Sequence, residues 1–247
     1  MKTYGLIGFP LSHSFSQKYF TEKFTREKIT DCEFKNFPLE NINDFPALLK
    51  NKPTLCGLSV TIPHKQNIIK FLDEVDKSAK EVGAVNCIRI KNHESRIMTG
   101  YNTDVFGFES SLKPLLQEKY SKALILGTGG AAKAVAYVLN KLGIEFLFVS
   151  RNENQVSSIR YQDLNEEIMT SHSLILNTTP LGMFPNITDC PNIPYQFLSS
   201  KHLLYDLNYN PEESLFLKKG KAKGAQIKNG LEMLHLQADK AWEIWNS

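Results

Sequence analysis

The chain is poor in the features that mark secreted, membrane-bound or metal-stapled proteins. Its 247 residues include only four cysteines, Cys32, Cys56, Cys87 and Cys190, with no C-x-x-C pair. That argues against a disulfide framework or a cysteine-built zinc site, and it fits a reducing cytoplasm. No apolar run approaches the roughly 18 residues needed to span a bilayer. The first residues, Met1-Lys2-Thr3-Tyr4-Gly5-Leu6-Ile7-Gly8, lack a signal-peptide core. Charge of one sign is also lacking. Lys and Arg number 29 against 26 Asp and Glu, a net +3 with no basic block, so neither a nucleic acid nor a membrane surface is an expected partner. There is no internal repeat and no low-complexity linker.

What is present is a soluble, core-forming composition, 42% apolar and 22% charged. At about 150 residues per domain the length allows between one and two domains. Short apolar runs alternate with amphipathic stretches, the pattern of an α/β protein with largely parallel sheets. Strands are expected at Tyr4–Gly8, Glu33–Phe37, Leu55–Thr61, Ala84–Ile90 and Ile97–Tyr101, and helices at Ser14–Lys28 and near Asp76–Val82. Asp104 is placed to cap the next helix, where Val105, Phe108, Leu112 and Leu115 recur at helical spacing. The rhythm then becomes regular. Strands are expected at Ala123–Leu126, Phe146–Ser150, Leu174–Asn177 and Leu203–Leu207, with a helix over Ala131–Leu142. The last helix, Leu231–Trp245, carries Leu231, Leu234, Ala238, Trp242 and Trp245 as a stripe. Two α/β units result, with their junction near residue 104.

Gly127-Thr128-Gly129-Gly130-Ala131-Ala132 follows a strand, opens a helix and matches G-x-G-x-x-A. In such a turn Gly127 permits the tight bend, Gly129 admits a pyrophosphate close to the backbone, and Ala132 lets helix and strand pack closely. The helix start then offers unpaired N–H groups to phosphate. An NAD site would put Asp or Glu at the end of the next strand. Here that strand ends Val149-Ser150-Arg151-Asn152, and the guanidinium fork of Arg151 suits a ribose 2′-phosphate, which favours NADP. A solvated surface arginine is the plain alternative.

Polar clusters stand at other strand ends. His13-Ser14-Phe15-Ser16 places two hydroxyls at a helix start, where they could hold a carboxylate; simple helix capping explains Ser14 equally well. Ser59-Val60-Thr61-Ile62-Pro63-His64-Lys65 delivers a lysine just past a proline turn, although a lone lysine is ordinarily a solvated charge. Asn86 puts an amide inside an apolar strand. Asp104 brings a carboxylate to the junction of the units, as a functional group or only a helix cap.

These clusters together resemble the shikimate dehydrogenase family from Gly5 to Gln237. The matching motifs are His13-Ser14-x-Ser16, Ser59 to Lys65, Gly83-Ala84-Val85-Asn86, Gly100-x-Asn102-Thr103-Asp104, Gly127 to Ala132, Asn177-Thr178-Thr179-Pro180-Leu181-Gly182-Met183, Tyr205-Asp206-x-x-Tyr209-x-Pro211 and Gly230-Leu231-x-Met233-Leu234-x-x-Gln237. The resemblance implies two α/β domains flanking a cleft. One is an N-terminal substrate domain, 1–103, joined by the C-terminal helix 231–247, so that Gln237 stands on the substrate side. The other is a Rossmann-like NADP-binding domain, 104–230.

It further implies reversible NADPH-dependent reduction of 3-dehydroshikimate to shikimate, on the route to chorismate and the aromatic amino acids, by a cytoplasmic monomer or homodimer. Lys65 is implied as the acid–base residue with Asp104 beside it. Ser14 and Ser16 are implied at the substrate carboxylate, and Thr61, Lys65, Asn86, Asp104, Tyr209 and Gln237 around the ring hydroxyls. Gly127, Thr128, Gly129, Gly130, Ala131, Ser150, Arg151, Asn152, Thr178, Leu207 and Gly230 are implied as the cofactor wall. His13, His64 and Asp104 form no recognisable metal-ligand set, so no metal is expected.

Some positions depart from the family pattern. Ser59 stands where Asn is frequent, and Gln17 where Pro is common. The cofactor strand ends Ser-Arg-Asn rather than Asn-Arg-Thr, Gln155 replaces a second basic residue, and the stretch from Arg151 to Asn177 is short. Ser59 keeps a quinate dehydrogenase open, and a catalytically silent NADP- or shikimate-binding sensor is the alternative from outside enzymology. Retention of both Lys65 and Asp104 argues against the sensor.

Overall fold

A computed structural model describes residues 1–11, 14–91, 96–151 and 158–247. Among these, the elements of the first part are β1 (Lys2–Gly8), α1 (Phe15–Arg26), β2 (Cys32–Pro38), α2 (Phe45–Asn51), β3 (Leu55–Val60), β4 (Glu74–Val75), α3 (Lys77–Val82), β5 (Cys87–Lys91) and β6 (Ile97–Tyr101). Then come α4 (Thr103–Leu112), β7 (Lys122–Leu126), α5 (Gly130–Lys141), β8 (Glu145–Ser150), β9 (Ser158–Arg160), α6 (Glu166–Ser171), β10 (Leu174–Asn177), β11 (Leu203–Asp206), α7 (Leu215–Lys221), β12 (Gln226–Lys228) and α8 (Leu231–Trp245). They form two compact units, Met1–Thr103 with Ala238–Ser247, and Asp104–Gln237. No helix of the described residues is long and apolar enough to cross a membrane.

The sheet of the first unit has the order β2-β1-β3-β5-β6-β4. It is mixed rather than largely parallel. β1 runs parallel to β2 and β3, but β5 is antiparallel to both β3 and β6. Only residues 92–96 join β5 to β6, a length that suits an antiparallel pair and not a crossover. An aromatic layer covers one face. Tyr4 and Trp245 stack at 5.1 Å and Phe20 and Phe34 at 4.7 Å, with Phe24 and Cys87 in the same buried cluster. The end of α8 reaches that layer through Ala238, Ala241 and Trp245. The buried positions of α8 are Met233, Ala238, Ala241 and Trp245, whereas Leu231 is exposed, so the expected stripe is rotated on the helix.

The second unit carries the sheet order β12-β11-β10-β7-β8-β9, with every pairing parallel. Strand order reverses where β10 lies beside β7. In open parallel sheets a ligand site forms outside the carboxyl ends of the strands at such a switch point. Leu124, Leu126, Val149, Ile175 and Leu204 fill one face with Phe216 and Leu217 of α7. Inward-facing residues of α5 (Ala132, Val135 and Leu139) are fully buried, as the small residues after the glycine turn anticipate.

Candidate active site

In the first unit, Ser14 occupies the N-cap position of α1, yet its side chain makes no capping bond. Its Oγ is buried and has no hydrogen-bond partner among the described residues. A buried hydroxyl without a partner is costly, so this one is not explained as a cap. Ser16 sits half-buried in the first turn of the helix, which holds no acidic residue. Loss of a capping serine costs about 1 kcal/mol. Ser14→Ala is instead expected to leave unliganded stability unchanged or slightly raised. It should raise KM for a carboxylate substrate by about tenfold, one charge-assisted bond. Thermal melts beside steady-state kinetics check both halves, and a melt lowered with KM unmoved would restore the capping explanation.

The segment after β3 is pinned at both ends. The Thr61 N–H donates to the Ile7 carbonyl (2.9 Å), the His64 N–H to the Thr61 carbonyl (2.9 Å), and the Val85 N–H to the Lys65 carbonyl (2.7 Å). Buried His64 contacts the Leu39 carbonyl through Nε2, so it serves the turn. Lys65 and Thr61 are half-buried.

Asn86 does not lie inside a strand as expected, because β5 begins at Cys87. Its backbone instead bridges β3 and β6, accepting from the Val60 N–H (2.8 Å) and donating to the Tyr101 carbonyl (3.0 Å). Its Oδ1 accepts from the Thr103 N–H (2.7 Å), and its Nδ2 donates to Thr103 Oγ1 (3.0 Å). These bonds tie the amide to the start of α4 and fix the residue immediately before Asp104. Asp104 is correspondingly not the N-cap. α4 begins at Thr103, and Asp104 is buried in its first turn, where the helix dipole favours a carboxylate.

In the second unit, α4 and α8 meet at Gly107. A Cβ there would lie 2.6 Å from the Met233 carbonyl oxygen and 3.1 Å from the Gln237 Cβ. Residues 231–237, expected with the first unit, are held in the second by this contact. Asp104 precedes Gly107 by three residues and so shares its helix face, which brings Asp104 and Gln237 onto neighbouring helices. The Gln237 Nε2 donates to the Leu234 carbonyl (3.0 Å). Tyr209 is half-buried, and burial pushes its phenol pKa up.

The glycine turn leaves β7 with Gly127 at φ +102°, a region that favours glycine, and its N–H donates to the Val149 carbonyl of β8 (2.8 Å). Gly129 stands at the N-cap of α5, and no side chain makes a capping bond there. A Cβ at Gly129 would meet nothing within 4 Å. Thr128, Gly130 and Ala131 line the same turn, half-buried. The 12-residue α5 therefore presents an uncapped N-terminus with no acidic residue in its first turn, a cradle that fits a dinucleotide's pyrophosphate.

Thr178 closes the switch point: its N–H (3.1 Å) and hydroxyl (2.6 Å) both donate to the Leu126 carbonyl. Leu207 donates from its backbone to the Asn177 carbonyl (2.9 Å), and a Cβ at Gly230 would fall 2.0 Å from the Leu207 carbonyl oxygen, so only glycine fits. Ser150 ends β8 half-buried, and Arg151 is exposed just beyond it. His13, Asn152 and Gln155 lie outside the described residues.

Residues 6–88 match the family model of the shikimate dehydrogenase substrate binding domain. The shikimate dehydrogenase (NADP(+)) of Methanococcus aeolicus is 37% identical over 258 residues, covering 99% of this chain and 91% of that protein. The chain belongs to the shikimate dehydrogenase family. Among solved structures, the shikimate dehydrogenase of Aquifex aeolicus is 33% identical with a TM-score of 0.87, covering 100% of this chain and 92% of that one. The shikimate 5-dehydrogenase of Thermus thermophilus, solved with NADP(H) and shikimate, is 26% identical with a TM-score of 0.86, covering 99% and 93%.

Against this family background, one polar network stands out that no motif role had assigned. Asp206, fully buried at the end of β11, accepts from the Ser214 hydroxyl (2.5 Å), the Asn177 amide (3.0 Å) and the Asn208 N–H (3.0 Å). The Asn208 amide in turn donates to the Thr179 (3.0 Å) and Leu181 (3.2 Å) carbonyls. The network thus ties together the loops that carry Thr178 and Leu207. The signal in the sequence is a polar residue closing each of two apolar strand runs, Asn177 and Asp206.

Burial pushes the Asp206 carboxyl up from 3.8 to about 6, against the pull of its donors. A carboxyl with a raised folded pKa costs nothing when protonated, and the cost builds as pH rises from about 4 through 6. Asp206→Asn, whose Oδ1 can still accept from Asn177 and Asn208 while its Nδ2 donates to the Ser214 hydroxyl, should therefore gain stability relative to wild type by up to about 3 kcal/mol between pH 4 and pH 7, at 1.36 kcal/mol per pKa unit. Paired urea unfolding curves measure this difference; one that does not change with pH would contradict it.

Proposed function

We propose that this chain catalyses the reversible NADPH-dependent reduction of 3-dehydroshikimate to shikimate, with Lys65 as its proton donor. It is an NADP-dependent oxidoreductase acting on a CH–OH group. The chain-long kinship with NADP-dependent shikimate dehydrogenases carries this reading, and the uncapped N-terminus of α5, with Arg151 just past the end of the adjacent strand β8, supports it.

NADPH, when bound, supplies the hydride that adds to the substrate's carbonyl carbon. The chain's residues bind, orient and manage the proton. The free N–H groups from Gly129 onward take the pyrophosphate, and Arg151 takes the 2′-phosphate. Ser14 and Ser16, at the dipole-positive end of α1, hold the substrate carboxylate. As hydride adds, electrons of the C=O bond move onto oxygen. The Lys65 ammonium stabilises that negative charge and transfers its proton to it, giving the alcohol and a neutral amine that solvent reprotonates. Asp104, Asn86, Thr61, Tyr209 and Gln237 contact the ring hydroxyls. In the reverse direction, neutral Lys65 removes the hydroxyl proton as hydride departs.

The test is loss of the NADPH absorbance band when purified protein meets 3-dehydroshikimate, with quinate plus NADP and NADH as comparison arms. Rapid loss with NADPH and 3-dehydroshikimate is expected. Faster turnover of quinate would move the chain to a quinate dehydrogenase. No turnover of any pair, with NADP still bound, would favour the sensor.

A further inference from the structure

Sequence comparison leaves Arg151 without a second cation, since Gln155 stands where the family often has a basic residue. The sheet supplies another candidate from the neighbouring strand. β8 and β9 pair in parallel with Val149 opposite Ile159 and Ser150 opposite Arg160. Val149 and Ile159 both face the core cluster of the second unit. Side chains alternate along a strand, so Ser150 and Arg160 share the opposite face, at the carboxyl end of both strands.

The glycine turn is fastened to this same edge by the bond from Gly127 N–H to the Val149 carbonyl. Gly127, Ser150 and Arg160 thus follow one another across β7, β8 and β9, with neighbouring strands about 4.8 Å apart. Residues 151–157 connect β8 to β9, whereas a parallel crossover ordinarily takes a dozen or more. The short connection fits β9 directly against the strand end that carries Arg151. Tyr161, next to Arg160, lies within electrostatic reach of Arg151. Burial raises its phenol pKa to about 12, and the Arg151 charge acts in the opposite direction.

We propose that Arg160 is the second cation of the adenosine 2′-phosphate site, a specificity-determining residue that helps Arg151 select NADP over NAD. This rests on the nucleotide-site reading above. Arg160 is oriented by Asp163, to which its Nε (2.8 Å) and Nη2 (3.2 Å) donate, and both side chains are 40% exposed. Asp163 is also the brake on the site: its carboxylate competes with a phosphate for the guanidinium and repels the phosphate. That makes two opposite substitutions informative.

The experiment is calorimetric titration of the full chain with adenosine 2′,5′-bisphosphate and, separately, 5′-AMP, accompanied by melting curves. Arg160→Ala is expected to weaken the bisphosphate about three- to tenfold, the scale of one partly screened charge contact, and to leave 5′-AMP within about twofold. Asp163→Asn should tighten the bisphosphate and not the monophosphate. Arg160→Lys, which keeps charge but not the fork, should retain most of the discrimination. If Arg160→Ala leaves the bisphosphate unchanged while Arg151→Ala weakens it, the role of Arg160 is overturned and that of Arg151 stands. If neither matters, the 2′-phosphate reading itself fails. If Arg160→Lys loses as much as alanine, or both nucleotides weaken together, Arg160 is structural and the proposal is overturned.

Discussion

Lys65→Met is expected to lower kcat by about a hundredfold or more, the scale of general acid catalysis, while KM stays within a few fold. The reason is local. The backbone around residue 65 is held by bonds that do not involve the side chain, from Thr61 to Ile7 and from Val85 to the Lys65 carbonyl. Methionine retains a similar unbranched stem, so the turn should keep its path and the melting curve should barely move. What disappears is the charge and the proton at the developing alkoxide. A loss made only in the transition state lowers kcat and kcat/KM together, and that equality is the signature to look for. Near-normal turnover would remove Lys65 from the proton path, and a raised KM with unchanged kcat would demote it to a binding residue.

The second large effect is on folding. Trp245→Ala should reduce the stability of the first unit by about 3–5 kcal/mol, the range for removing a buried large aromatic. Trp245 is 6% exposed, stacks on Tyr4, lies 5.2 Å from Phe20, and donates from its indole N–H to the Ile88 carbonyl (3.0 Å). Gly57 adds a shape constraint, because a Cβ there would come 2.4 Å from the indole ring. The cavity left by alanine would face Tyr4, Phe20 and Phe34, side chains already locked against one another. The chain has two tryptophans, so in the variant Trp242 alone reports urea unfolding by fluorescence. Trp245→Phe should recover much of the loss. A midpoint within experimental error of wild type would mean that α8 does not anchor this core.

The second unit was the more legible in sequence. Its strands are apolar runs such as Ala123–Leu126 and Leu174–Asn177, buried on both faces in a parallel sheet, and a glycine turn marks where one of them hands over to a helix. The first unit misled where polar residues mix into strands. Ala84-Val85-Asn86 continues the apolar run of β5, but tertiary bonds to Lys65, Val60 and Tyr101 hold that stretch outside the strand.

Candidate residues at fixed local offsets, such as Ser14 and Ser16 or the glycine turn, were readable from spacing and motif. Asp206, Gly107 and Arg160 were not. Asp206 and Gly107 meet partners distant in sequence, Asn177 and Met233, and the place proposed for Arg160 depends on its register opposite Ser150; only the fold supplies these. The cap assigned to Asp104 failed for a similar reason, since Asn86, 17 residues upstream of Thr103, accepts the bond from the helix start.

The most direct test of hydride transfer coupled to proton donation is to run the reduction of 3-dehydroshikimate with NADPH carrying deuterium at the transferable C4 position, and to read the product by NMR and mass spectrometry. Shikimate should form with one deuterium on the carbon that bears the new hydroxyl and none elsewhere, in wild type and, far more slowly, in Lys65→Met. Unlabelled shikimate, label at another carbon, or no product at all would contradict the mechanism.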